Sequence, residues 1–423
     1  MNVPFLSTHR DTALTLYRQR CTLQQQSVVE AGLMARNEQQ LWVHLQVLSR
    51  SSMEPQPPES LERLESQAEA FVDLTSRLLS AAESVRETGY NQALDLLSQT
   101  GPLQEGAFHA LSLLPPPEAD TRMLDLYRQK PELRPLLFDL WREQSRAIPT
   151  ALVSVAELRS HDTTLEIAAL RYAASQPHIG LELFTAYYQG LLSGAKRPEK
   201  SGHLLATALW GGLLRGEQKL AKPLWHCIES ETHDDSLYYL LRLGAIVADP
   251  DIVPILQKFA EKAPESAAEL LSLHGTEAAL RALLDLSQTS KPSKSSAGIL
   301  EAWHWVSGRS LTVTPRLRVV QPGEKSTPPH SLNSVEWWWQ EHHSLLQEGG
   351  RFLFGQTLGL KHLFRQSGLQ AGRVSNNLLD LLSYSLGSPI GVTARASQLQ
   401  RRRILQQKLS QNINTMEEAH APA

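Results

Sequence analysis

The feature that most constrains the fold is a helix–turn–helix pattern that recurs five times between Gly106 and Ser287. Each piece gives an apolar helix, a turn of a few residues and a second, amphipathic helix. The turns fall, at irregular spacing, near Pro116, Pro177, Gly216, Pro250 and Gly275. A single helix pair cannot bury its own apolar face and must stack on neighbouring pairs. The sequence therefore predicts an all-α protein built as an α-solenoid, and the alternative is an irregular all-α domain without true repeats.

The N-terminal part is also predicted to be helical. The stretch "EQQLWVHLQVLSR" has leucines at helical spacing, and the prolines within residues 51–60 end that helix because proline lacks an amide donor. Ser60 is suited to cap the next helix. In residues 61–85 apolar side chains recur every three or four positions, which predicts one long amphipathic helix. We expect these two helices to form an N-terminal hairpin.

The pattern divides the chain into four regions. These are an N-terminal helical region (1–88), the helical repeats (89–310), a Pro/Gly/Ser-rich connector (311–333) and a C-terminal helical repeat region with a frayed tail (334–423). The connector alone has strand character, and we expect it to be extended or to form a short β-hairpin.

Composition narrows the functional class. The chain is 41% hydrophobic and 20% charged, as in folded soluble proteins, and its net charge of -3 creates no general attraction for nucleic acid or anionic membrane. Its two cysteines, Cys21 and Cys227, are far apart, so neither a disulfide framework nor a thiolate zinc site is expected. No secretory signal or run of about 18 apolar residues is visible. We expect a cytoplasmic protein without a membrane span.

No set of residues indicates catalysis. His342 and His343 are adjacent, whereas histidines that share a metal on a helix lie three or four positions apart. His226, Cys227 and His233 lie close in sequence but lack a ligand at the spacing that would complete a site. Glycine-rich phosphate loops and nucleophile elbows are also missing from the sequence. We therefore expect no catalytic residue, no cofactor and no metal. The basic run 401–403 is interpreted as a solvated helix face.

The segment "SVEWWWQEHHSLLQEGGRFLFG" stands out because it holds three of the nine tryptophans. On a helix, Trp337, Trp338 and Trp339 span about 200°, so all three cannot enter one seam. In "RFLFG" we expect a helix end, at which Arg351 lies near backbone carbonyls, Phe352 is buried and the glycine adopts the left-handed conformation. These five residues form a candidate packing hub that also serves as a partner-binding surface.

The C-terminal third resembles the closing segment of HEAT-repeat proteins encoded among type VI secretion genes of Gram-negative bacteria. In that family a tryptophan-bearing helix leads to an Arg-aromatic-Leu-X-Gly turn, here Arg351 to Gly355. A helix then ends near a Gly-X-X-X-Arg step, here Gly368 to Gly372 followed by Arg373, and an apolar helix closes the segment, here Leu378 to Leu386. The stretches "ATALWGGLLRGE" and "LERLESQAEAF" are also similar to the family.

The resemblance implies a HEAT-like solenoid and a cytoplasmic accessory protein that loads effectors or assists assembly in type VI secretion, with other proteins as partners. It implies no catalytic residue. The alternative is a HEAT-like nucleic-acid enzyme such as a helical-repeat DNA glycosylase. That class needs a basic groove with aromatic side chains and a catalytic carboxylate, whereas the repeats here are near neutral.

Overall fold

The computed structural model of the protein describes residues 5–51, 64–114, 119–154, 158, 162–192, 202–231, 234–289, 295–309, 331–346 and 350–418. Helix accounts for 78% of this part of the chain, and strands for very little, so the predicted all-α class is confirmed. Within these ranges, no helix combines the length and apolar character needed to cross a membrane.

The described residues form twenty α-helices, numbered in chain order. The first run, of ten helices, is α1 (Leu6–Gln25), α2 (Ala31–Ser51), α3 (Gln67–Leu78), α4 (Glu83–Leu97), α5 (Pro102–Leu113), α6 (Ala119–Gln129), α7 (Arg134–Glu143), α8 (Thr163–Ser175), α9 (Glu182–Leu192) and α10 (Gly202–Leu213). The second run is α11 (Ala221–Ser230), α12 (Asp234–Val247), α13 (Ile252–Ala260), α14 (Pro264–His274), α15 (Glu277–Thr289), α16 (Ser295–Ser307), α17 (Ser331–Leu346), α18 (Leu360–Leu369), α19 (Val374–Leu386) and α20 (Gln398–Glu418).

The strands of the described residues are each two residues long. They are β1 (Val29–Glu30), β2 (Phe352–Leu353), β3 (Gln356–Thr357) and β4 (Gln370–Ala371). Strand β1 pairs with β4 and β2 pairs with β3, both antiparallel. The predicted connector lies outside the described residues, except that its last three residues, 331–333, belong to α17.

The chain forms two compact units. Unit 1 comprises Met1–Leu183, Ser367–Leu379 and Pro389–Ala423, and unit 2 comprises Phe184–Gln366 and Asp380–Ser388. These units do not follow the four regions predicted from the sequence. The predicted boundary after residue 88 falls inside α4, and the C-terminal region is divided between the units because parts of it pack with elements distant in the sequence.

Unit 1 begins with an antiparallel pair of helices, α1 and α2, and α3 packs on both. Helices α3, α5, α7 and α8 then pack successively on one another, with α4 against α3 and α5. The prediction of one long helix over residues 61–85 is wrong. The chain turns after Leu78 because the Ser80 hydroxyl accepts the Ala82 amide, and Arg86 donates to the carbonyl oxygens of Ser80 and Ala81. Ser60 lies outside the described residues, and Ser66 caps α3.

The C-terminal part of unit 1 packs on the α1–α2 pair. Strand β4 pairs with β1, and the amide of Arg373 donates to the carbonyl oxygen of Gln26 over 2.8 Å. Arg401 lies at the start of α20 and is almost completely buried. Its guanidinium donates to the Ser375 hydroxyl over 2.9 Å and to the carbonyl oxygen of Gln370. The prediction that residues 401–403 form a solvated face is therefore wrong for Arg401, whereas the two arginines after it are exposed.

Unit 2 has two layers of helices. In one layer α10, α12, α14 and α16 pack successively side by side, and in the other α13, α15 and α17 follow one another, with α11 packed on α12. Helices α12, α14 and α16 run in the same direction, since their C-terminal ends all contact residues 351–355. The Asp380 carboxylate, in the middle of α19, accepts from the Trp210 ring and from Arg242 of this layer. This arrangement is consistent with an α-solenoid.

Candidate functional site

The three consecutive tryptophans of α17 have different surroundings. Trp338 is 4% exposed, Trp337 is 63% exposed, and Trp339 is half-buried. The Trp338 ring meets the rings of Trp303 and Phe352 edge to face, each at 5.6 Å between centroids, and stacks on His342 at 4.6 Å. The sequence correctly indicated that the three side chains cannot share one seam, and the structure assigns Trp338 to the interior.

Residues 352–357 form a β-hairpin, so the expectation that "RFLFG" ends a helix is wrong. Strands β2 and β3 are joined by a two-residue turn, Phe354–Gly355, in which both residues have positive φ. Consecutive positive φ values give the turn whose twist matches paired strands. Gly355 adopts the left-handed conformation as expected, but in this turn. The hairpin is held by tertiary contacts, since the amides of Phe354 and Gly355 donate to the carbonyl oxygens of Trp305 and Val306.

Arg351 precedes the hairpin and caps two helices at once. Its guanidinium donates to the carbonyl oxygens of Ala245 and Ile246 in the last turn of α12, at 3.1 and 2.7 Å. It also donates to those of Leu273 and His274 at the end of α14, at 2.8 and 3.0 Å. The last carbonyls of a helix lack partners within the helix and carry its partial negative charge, so a cation is favoured there. The prediction that Arg351 lies near backbone carbonyls agrees with this geometry.

Burial lowers the pKa of Arg351 to about 10, which leaves the guanidinium charged at neutral pH. Phe352, the next residue, is 2% exposed and its amide donates to the carbonyl oxygen of Gly275 over 2.8 Å. Gly275 has φ +68, and a side chain there would also meet the backbone of Phe352. Of the five candidate residues, Trp338, Arg351 and Phe352 make these contacts, and the term packing hub denotes these three. Its three side chains hold neighbouring elements together, and none of them is a nucleophile.

The histidine and cysteine candidates do not form a reactive cluster among the described residues. The Nδ1 atom of His342 lies 2.9 Å from the carbonyl oxygen of Trp338, and His343 is exposed beside Trp339. Cys227 is buried, and His233 lies outside the described residues. In the part of the chain that the structure describes, no three His, Cys, Asp or Glu residues are grouped so as to hold a metal ion.

Sequence reasoning missed a polar pair in unit 1. The Tyr17 hydroxyl lies 2.6 Å from Nδ1 of His109, and the Tyr17 ring stacks on Phe71 at 4.1 Å. Burial, with smaller effects of Arg20 and Arg395, lowers the pKa of His109 to about 4. Burial also raises the pKa of the Cys21 thiol, one helical turn from Tyr17. His109 and Cys21 are therefore both neutral at pH 7. Tyr17 and His109 are 92 positions apart, so no local sequence pattern could reveal their contact.

The His109 pair predicts a pH dependence of stability. The unfolded histidine takes up a proton below about pH 6.5 and the folded one only near pH 4, so its contribution is complete above pH 6.5 and is lost as the pH falls. Between pH 7.5 and pH 5 this loss amounts to about 2 kcal/mol. In a His109→Asn variant, which keeps an acceptor but cannot be protonated, urea unfolding should show a correspondingly smaller loss. Equal losses in parent and variant would contradict the assignment.

No protein-family model, curated protein or solved structure matches this chain. The function is therefore inferred from the residues and their arrangement. The packing hub lies in unit 2 next to the exposed Trp337, whereas His109 of the polar pair lines a cleft in unit 1.

Proposed function

We propose that the protein is a non-catalytic scaffold or adaptor that binds other proteins, built as a HEAT-like solenoid and acting in the cytoplasm as an accessory of type VI secretion. The observation that carries the proposal is Trp337, which is 63% exposed on α17 while the next residue, Trp338, is anchored in the packing hub. The link to secretion depends on the family resemblance of the C-terminal third.

The exposed face of α17 has the chemistry of an interface. Trp337, Glu341 and Leu345 are four positions apart and so follow one face of the helix. Trp337 is 63% exposed, the Glu341 side chain 52% and Leu345 53%. Large exposed aromatic side chains provide much of the binding energy where proteins meet, and tryptophan is among the most effective. A tryptophan and a leucine with a carboxylate between them give such a surface both apolar area and polarity.

The packing hub keeps this face in place. Trp338 contacts Trp303 of α16 and Phe352 of β2, so the helix that bears Trp337 is attached to both of these elements. A binding residue on a rigid element loses little conformational freedom when a partner binds. Layered helices also provide extended surfaces for partners, which agrees with a scaffold role.

The test is to replace Trp337 by alanine and compare partners. Tagged parent and variant chains are expressed in the native host, and co-purifying proteins are quantified by mass spectrometry. We expect the parent to retain a secretion component or effector that the variant loses. Binding of that partner should weaken by about 2 kcal/mol or more, which is a rise in Kd of roughly 30-fold. The unfolding free energy should change by less than about 0.5 kcal/mol because the side chain is exposed.

A matched control is Leu399→Ala, which removes an apolar side chain that is 82% exposed in unit 1. This variant should keep the partner. If Trp337→Ala retains the same partner at the same affinity, the α17 face is not the binding surface. If the partners have no part in secretion, the scaffold role survives and the link to secretion is withdrawn.

A further inference from the structure

A cleft of about 700 Å³ opens within unit 1. Helices α1, α3, α5, α7 and α8 contribute to its wall, as do residues 372–376 and 394–395. Its lining includes Phe108 and His109, and His109 is the residue whose Nδ1 atom contacts the Tyr17 hydroxyl. The volume is within the range of about 300–1,000 Å³ that is usual for ligand sites.

The charge of the cleft is opposite to that of the chain. Four arginines line it, Arg142, Arg171, Arg373 and Arg395, against two carboxylates, Glu105 and Asp139. The chain as a whole has a net charge of -3, so this concentration of guanidinium groups is a local feature. A concave surface lined by one sign of charge focuses its field and attracts ligands of the opposite sign.

The arginines differ in their surroundings. Arg142 lies 3.6 Å from Asp139 and donates to Glu143 over 3.0 Å, so these acids balance much of its charge. Arg373 and Arg395 are exposed. Arg395 also acts on His109, whose pKa is lowered mainly by burial and to a smaller extent by Arg20 and Arg395. Because Arg373 and Arg395 are exposed, a ligand that enters the cleft can reach both guanidinium groups.

Amide side chains supply the rest of the polar lining. They are Gln24, Gln25, Gln67, Gln104 and Asn376. An amide both donates and accepts, which matches the N–H and C=O groups of a peptide backbone, whereas guanidinium groups match carboxylates. Phe108 and His109 are the aromatic rings of the described lining, which is few for a surface on which successive nucleotide bases would stack.

We propose that this cleft binds an acidic peptide segment, with side-chain carboxylates at Arg373 and Arg395 and peptide groups at the amides. The site is distinct from the face of α17 because every lining residue belongs to unit 1. This role is one of binding and includes no chemical step.

The test uses the full-length protein and a labelled hexaglutamate peptide with blocked ends, measured by fluorescence anisotropy. We expect saturable binding that weakens between 50 and 300 mM salt, as contacts between exposed charges do. An Arg373→Gln/Arg395→Gln variant should bind about tenfold more weakly, because two exposed charge contacts are lost. A control variant with equal loss of charge, Arg128→Gln/Arg281→Gln, alters exposed arginines outside the cleft and should bind as the parent does.

Several results would overturn the proposal. They are equal affinity in both double variants, equally tight binding of a hexaglutamine peptide, and displacement by inorganic phosphate at the concentration of the peptide, which would indicate a site for simple anions. Tighter, Arg373- and Arg395-dependent binding of a single-stranded DNA oligonucleotide would assign the cleft to nucleic acid instead. Trp337→Ala should leave peptide binding unchanged, so this proposal and the proposed function fail separately.

Discussion

Replacing Trp338 by alanine is expected to lower the free energy of unfolding by about 3–5 kcal/mol. The side chain is 4% exposed and contacts the rings of Trp303, His342 and Phe352, so its removal leaves a cavity between α16, α17 and β2. The surrounding elements are held by their own hydrogen bonds and can close such a cavity only in part. Since most domains are stable by about 5–15 kcal/mol, the loss should be plain in urea unfolding followed by far-UV circular dichroism.

The neighbouring tryptophans provide the controls. Trp337→Ala should change the free energy of unfolding by less than about 0.5 kcal/mol because that side chain is exposed. Trp339→Ala should fall between the two, since Trp339 is half-buried. If all three variants unfold like the parent, the packing hub does not stabilise unit 2 and the cluster acts only at the surface.

The helical class was predictable because its causes are local. Apolar spacing and turn residues act within a few positions, and they placed the turn at Gly275, where the residue has φ +68 and ends α14. The turn near Pro250 is likewise found between α12 and α13. Pro116 lies outside the described residues. The same local rules failed after Leu78, because a hydroxyl and an arginine side chain satisfied backbone groups there and allowed a turn that apolar spacing does not show.

The hairpin at residues 352–357 could not be predicted from its own amino-acid sequence. Its turn, Phe354–Gly355, lacks the Asn-Gly or Asp-Gly pair that usually marks such turns. The conformation is imposed from outside, by the carbonyl oxygens at the end of α16 that receive both turn amides. Those partners lie about fifty residues earlier in the chain, beyond the reach of periodicity or turn chemistry.

Long sequence separation also hid the charged sites. Arg401 is in a run of three arginines that looks solvated, yet its guanidinium reaches Gln370 and Ser375 on elements that pack beside α20. The arginines of the cleft are distributed from residue 142 to residue 395, so no segment is basic enough to indicate a site. Only the fold brings these arginines together. The net charge of the chain therefore gives no indication of the local excess of positive charge in the cleft.

Replacing Arg351 by methionine is expected to lower the free energy of unfolding by about 3 kcal/mol. Hydrogen bonds from a charged donor contribute about 1.5–3 kcal/mol each. Part of that loss is offset because the variant no longer has to remove a guanidinium charge from water. Four carbonyl oxygens at the ends of α12 and α14 lose a donor together. Methionine keeps much of the aliphatic bulk, so the loss reports on hydrogen bonding and charge more than on packing.

Arg351→Lys separates these two effects. An ammonium keeps the charge at the helix ends but cannot reach two helices with a planar fork of donors, so we expect an intermediate loss. Hydrogen exchange should show faster opening at the last turns of α12 and α14 in both variants, and in Arg351→Met more than in Arg351→Lys. Arg402→Met, which alters an exposed arginine on α20, should change neither measurement. If Arg351→Met is as stable as the parent, the double cap is incidental, and the end of this layer is held by the hairpin backbone and the buried rings alone.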